Sequence, residues 1–216
     1  MIKAMLTIDI VSDIVCPWCF IGLRRLDLAI AEVRREIPDF TCRRRWLPFF
    51  LNPQTPPQGE PYLPFLEQKF GGRAPVDALF ERVRAAGRPY GIDYAFEKIP
   101  LRANTLAAHR LIHWAQQRGD AESLVECLFV AQFQRGEHVG DQGLLVAVAG
   151  ECGYPVEEVA AYLASGQDVG EVRAMEAQLR AMGISMVPTL IVGGQRIVVG
   201  AEDPSVLAHA IRQTLA

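Results

Sequence analysis

The chain has 216 residues, half of them hydrophobic and 22% charged, with a formal net charge of −3. That is enough chain to bury a substantial core in one large domain or a domain with an insertion, and nothing in the charge balance favours nucleic acid or an anionic membrane as partner. No apolar run approaches the roughly 18 residues of a membrane span, and Arg43-Arg44-Arg45 is short enough to be a solvated strand end.

"MIKAMLTIDIVSD" has no long apolar segment before a small-residue cleavage site, so a cytoplasmic location is expected. Leu6 to Val11 is β-rich and bounded by Ser12-Asp13, and reads as a first strand. From Pro17 the period changes: Leu23, Leu26, Ile30, Val33 and Ile37 share one face and arginines the other, an amphipathic helix closed by Pro38. Cys42 to Leu51 reads as a second strand, so strand, helix and strand form a right-handed βαβ unit with parallel strands.

"NPQTPPQGEPYLP", with five prolines, then reads as a loop leaving the sheet. Beyond it no strand is expected for over a hundred residues. Helical patterns run instead over Val76–Ala86, Thr105–Arg118, Ala121–Gln134, Gln142–Glu151, Val156–Ala164 and Val169–Met182, with Asp120 and Asp141 as N-caps. After Gly183 the β pattern returns as a hairpin, Thr189–Val192 and Arg196–Val199 about Gly193-Gly194, and Asp203-Pro204 opens a last helix. The expected architecture is an α/β core of residues 1–55 and 183–216, interrupted by a helical insertion over 56–182.

Five cysteines is an odd count, and Cys42, Cys127 and Cys152 are scattered singly, which disfavours a disulfide scaffold and suits a reducing compartment. Cys16 and Cys19 are different. Pro17 is a favoured first helical residue, so Cys16 falls at or beside the helix N-cap, near free N–H groups and the positive end of the dipole, where a thiolate is stabilised. Cys19 lies three residues on, in bonding reach, as thiol–disulfide exchange requires. Zinc is the weaker reading, because a C-x-x-C pair offers two of four ligands and no second pair follows; His109 and His113, one turn apart, read as ordinary helix residues. No metal site is expected.

Val187-Pro188 precedes the hairpin, and an antiparallel hairpin strand would bring it opposite Cys16. X–Pro is where cis peptides occur, and the residues alone leave cis and trans open. A cis bond would turn the Val187 backbone toward an extended substrate. Asp9 is a candidate base for the Cys19 proton, and Asp13 reads as a loop or capping residue. Trp18, Trp46, Phe49 and Phe50 could floor an apolar groove, with core packing as the competing role of the last three. Arg102, Asn104 and His109 could line it from the insertion, with capping and surface roles as the alternative.

The blocks "SDIVCPWCFIGLRRL", "WLPFFLNP", "NTLAAHRLIHWA", "LFVAQFQRGEHVGD", "GISMVPTLIVGG" and "VVGAEDP" resemble, in order and across nearly the whole chain, the DsbA family of the thioredoxin superfamily, and within it the FrnE-like branch. The resemblance implies a thioredoxin-like fold with an inserted helical subdomain and dithiol–disulfide exchange. By motif position it implies Cys16 as attacking thiolate, Cys19 as resolving thiol, Pro188 as the cis-proline and Val187 as a substrate-binding residue. Trp18 stands where DsbA has histidine, which implies a less acidic Cys16 and a weaker oxidant. The expected partners are protein or small thiol and disulfide substrates, as monomer or homodimer. No cofactor is expected beyond the dithiol itself, with glutathione as a possible co-substrate. The competing function is a glutathione-dependent isomerase or transferase of the 2-hydroxychromene-2-carboxylate isomerase and kappa-class type, which share the layout but carry serine in place of the first cysteine.

Overall fold

The computed structural model describes residues 5–215; the first four residues, part of the segment read for a leader, and Ala216 lie outside it. Strands β1 (Leu6–Ser12) and β2 (Cys42–Pro48) are parallel, joined by helix α1 (Pro17–Glu36). Strands β5 (Thr189–Val192) and β6 (Arg196–Val199) form a hairpin whose first strand runs antiparallel to β1, so the sheet order is β2-β1-β5-β6. Both turn glycines have positive φ, 61° at Gly193 and 70° at Gly194, the conformation a tight right-twisted hairpin requires.

Side chains alternate across β1 and β5 with period two. Ile8, Ile10, Leu190 and Val192 join the main core with Leu23, Leu26, Ile30 and Val33 of α1 and Leu207 and Ile211 of helix α9 (Pro204–Leu215). Val11 and Ile191 point the other way, to Phe49, Leu179 and Ile184. The register puts Val11 opposite Thr189, so the C-terminal end of β1 and the start of β5 share one edge of the sheet. The βαβ unit and the terminal hairpin are therefore as the periodicity predicts.

The long middle stretch differs in detail. A pair of two-residue strands, β3 (Glu60–Pro61) and β4 (Leu101–Arg102), lies where no strand was expected; two residues carry no detectable period. Helix α2 (Tyr62–Phe70) occupies part of what reads as a proline loop. Pro64 is in its first turn, where a missing N–H costs nothing. Helices α3 (Arg73–Gly87), α4 (Leu106–Gln116), α6 (Gln142–Glu151), α7 (Val156–Ala164) and α8 (Val169–Ala181) fall on the predicted segments. The helix expected over Ala121–Gln134 is instead α5 (Glu122–Val130) followed by a π-helical turn, Ala131–Arg135. Asp141 caps α6, accepting from the Leu144 N–H at 2.8 Å, whereas the residue that caps α5 is Ala121, with Asp120 accepting from the Glu122 N–H just before it. No helix among the described residues is long and apolar enough to cross a membrane.

Candidate active site

The site is assembled at the sheet edge where β1 ends and β5 begins. Cys16 is the N-cap of α1, with extended backbone, and Pro17 opens the helix. The turn before it is closed by the Cys16 N–H on the Asp13 carbonyl at 2.9 Å, and the helix begins with the Cys19 N–H on the Cys16 carbonyl at 3.0 Å. The cap position is the one expected, but the sulfur makes no capping hydrogen bond. Its thiol turns instead to the Val187 carbonyl, at 3.7 Å, a bond only the protonated sulfur can donate. The Val187–Pro188 peptide bond is cis.

Both cysteines are free and nearly enclosed, 5% exposed at Cys16 and 3% at Cys19. Burial, then the contact with Cys16, pushes the Cys19 thiol well above its ordinary range, with the Asp13 backbone and the Ser12 hydroxyl offsetting part of this. Cys19 is therefore held as a protonated thiol.

Around the pair the predicted residues separate. Asp13 is fully buried and does more than close a loop: its carboxylate accepts from the Leu51 N–H at 2.8 Å and faces His109 Nε2 at 3.3 Å. That ring nitrogen also lies 3.2 Å from the Phe49 carbonyl. Both neighbours are acceptors, so Nε2 carries the proton. His113 is not part of this arrangement; it meets Gln117 and Glu171. Asp9, the candidate base, is held by both forks of Arg45, at 2.6 and 2.8 Å, and is not among the groups acting on Cys19. The pairing follows from the parallel register, which sets Asp9 opposite Arg45.

Beside Cys16 opens a pocket of about 350 Å³, with walls that include Val15, Trp18, Tyr62, Phe65, Phe80 and Val187. Three cations line it: Lys69, Arg82 and Arg102. Arg102 lies 3.6 Å over the Phe65 ring and pairs with Glu60, and Arg82 lies 5.9 Å over Trp18. Trp46 and Phe49, expected to floor this groove, do not line it. Trp46, set opposite Ile10 by the register, is buried in the main core, and Phe49, just past the end of β2, is buried in the smaller cluster with Val11; Leu51 and Asn52 reach the pocket in their place. Asn104 is also elsewhere. Its carboxamide donates to the Thr55 carbonyl at 2.7 Å and accepts from the Leu106 N–H at 3.1 Å, and it borders a separate hollow with Phe50 and Arg173.

Two residues of the site escape sequence reading. Tyr94 donates to the Pro17 carbonyl at 2.6 Å, anchoring the active-site turn from a loop that has no periodic signal. Gln132, in the π-helical turn, lines the pocket while 1% exposed, and its Oε1 has no hydrogen-bond partner among the described residues. It lies inside the block "LFVAQFQRGEHVGD", which was the available signal. π-helical turns inside helices recur at functional sites.

Residues 7–212 match the family described as DSBA-like thioredoxin domain. The chain belongs to this family. A curated relative, "Uncharacterized protein YwbO" of Bacillus subtilis, is 26% identical over 206 residues, which cover 94% of each chain. Among solved structures, the probable DsbA oxidoreductase SCO1869 from Streptomyces coelicolor superposes with a TM-score of 0.87 at 29% identity, over 96% of this chain and 89% of that one. The cytosolic disulfide reductase DsbM from Pseudomonas aeruginosa, in a structure with GSH, shares the fold with a TM-score of 0.65 at 14% identity, over 97% of this chain and 98% of that one. The DSBA-like family is one of thiol–disulfide oxidoreductases and isomerases, and the α/β architecture described above is its thioredoxin-like fold.

Proposed function

We propose that this chain is a thiol–disulfide oxidoreductase that works through a mixed disulfide at Cys16, resolved by Cys19. The observation that carries this reading is the pair of free thiols at the mouth of α1, with the Cys16 sulfur facing the Val187 carbonyl at the edge of the apolar pocket. In the forward step the Cys16 thiolate attacks a substrate disulfide; a new S–S bond forms to Cys16 and the departing sulfur takes the electron pair and a proton. Cys19 then loses its proton, attacks Cys16 and releases the second substrate thiol, leaving a Cys16–Cys19 disulfide that an external thiol returns to the dithiol. Once Cys16 is no longer a thiol donor, the Val187 carbonyl is free to accept an N–H from the bound substrate.

The odd cysteine count supports a reducing, cytoplasmic setting, where the pair is held reduced and net reduction or isomerisation is the favoured direction. The cations lining the pocket and the glutathione recorded with DsbM support glutathione as the external thiol, because its carboxylates suit Lys69 and Arg82. Cys16→Ser is expected to abolish disulfide exchange, and Cys19→Ala to accumulate the mixed disulfide, visible in the intact mass after non-reducing quenching. Glutathione-dependent turnover that survives Cys16→Ser would instead select the isomerase or transferase reading.

A further inference from the structure

Two of the three cysteines outside the active pair meet in the fold, although 25 positions separate Cys127 from Cys152 in the chain. Cys127 lies on α5, and Cys152 is the C-cap of α6, which packs against α5. The Cys152 sulfur is 3.6 Å from the carbonyl of Ser123, which precedes Cys127 by one helical turn on the same face. The Cys127 side chain reaches the Cys152 thiol, and after burial this contact is what pushes Cys152 up to about 12. Cys16 acts on Cys19 in the same way. Neither sulfur is sealed in: both residues are half-buried, and the Cys152–Ser123 contact is exposed.

We propose that Cys127 and Cys152 are a second redox dithiol, which hydrogen peroxide closes into a disulfide fastening α5 to the end of α6. The peroxide O–O bond breaks as the first thiol is oxidised to a sulfenic acid with loss of one water. The second thiol then displaces the hydroxyl, forming the S–S bond and a second water. Two electrons pass from the sulfurs to the peroxide, and a reducing thiol reverses the step. The bridge braces one wall of the active site, since α5 carries Phe129, stacked 5.2 Å from Phe20 of α1, and leads into the turn that holds Gln132. This site stands independently of the role given to Cys16.

The test is peptide mapping of the reduced full-length protein after hydrogen peroxide, alkylation of remaining thiols and non-reducing trypsin digestion. Cleavage after Arg135 separates Cys127 from Cys152, whereas Cys16 and Cys19 stay on one peptide and report that oxidation has occurred. The expected result is a linked pair of peptides joining Cys127 to Cys152, lost on dithiothreitol treatment and absent from Cys127→Ser. Oxidised wild type is also expected to melt higher than peroxide-treated Cys127→Ser. Recovery of both cysteines singly alkylated, from a sample whose Cys16–Cys19 pair is fully bridged, would overturn the proposal.

Discussion

Gly22 has no room for a methyl group. A Cβ there would lie 3.0 Å from Cγ of Pro188, a ring that cannot swing aside. Alanine would gain about 1 kcal/mol of helix propensity, but overpacking against a fixed ring costs roughly 1–3 kcal/mol. Gly22→Ala is therefore expected to lower the thermal midpoint and to slow exchange by shifting Pro188 from Cys16. Gln132 is a second single-residue test. Its carboxamide offers both N–H donors and a carbonyl acceptor, the complement of a peptide group, from within an apolar wall. Leucine there removes the carboxamide from the pocket wall, and a substrate hydrogen bond to it would be worth about 0.5–1.5 kcal/mol. Gln132→Leu should raise KM for peptide disulfides about 2- to 10-fold with kcat little changed, as steady-state kinetics would show.

Between elements, the site depends on ties that cross from one segment to another. The Asp13–His109 pair connects the loop after β1 to α4, and Asp13 also holds the Leu51 N–H beyond β2. Removing the imidazole leaves a buried carboxylate oxygen and the Phe49 carbonyl without their partner, at a cost of about 1–3 kcal/mol. His109→Leu is expected to lower stability by that amount in urea denaturation and to loosen the Cys16 turn. Tyr94→Phe is the milder case. It keeps the ring against Phe20, Phe96 and Phe133 and loses only the bond to the Pro17 carbonyl, about 1 kcal/mol. The expected signature is a small fall in thermal midpoint, with exchange retained.

For the whole molecule, burial of Cys19 links stability to pH. Its thiol titrates at an ordinary value of about 8.5 in the unfolded chain and higher in the folded one. A raised folded value means that the stabilisation is fully present below the unfolded value, and is lost as pH climbs from there through the folded one. The reduced protein should therefore weaken in alkali. Cys42, Cys152 and Tyr154 shift in the same direction and share the effect. Cys19→Ala is expected to remove part of the alkaline loss, measured as the pH dependence of the urea midpoint. At neutral pH, iodoacetamide should label Cys19 far more slowly than an ordinary thiol.

Local pattern was enough for the strands of the four-stranded sheet, most of the helices and the Cys16–Cys19 pair. Period-two and period-3.6 hydrophobicity, a proline after Cys16 and a glycine pair in the hairpin are each set by neighbours in sequence. Three features lay beyond its reach: where Trp46 and Phe49 point, that Asp9 is claimed by Arg45, and which residues line the pocket. Each depends on where a strand stops or which residue a register sets opposite, and so on segments far apart in the chain. Cys127 and Cys152 show the same limit. Composition counts them as two scattered thiols, and only the packing of α5 on α6 makes them neighbours, because contact between sulfurs is a property of folded distance and not of spacing along the chain.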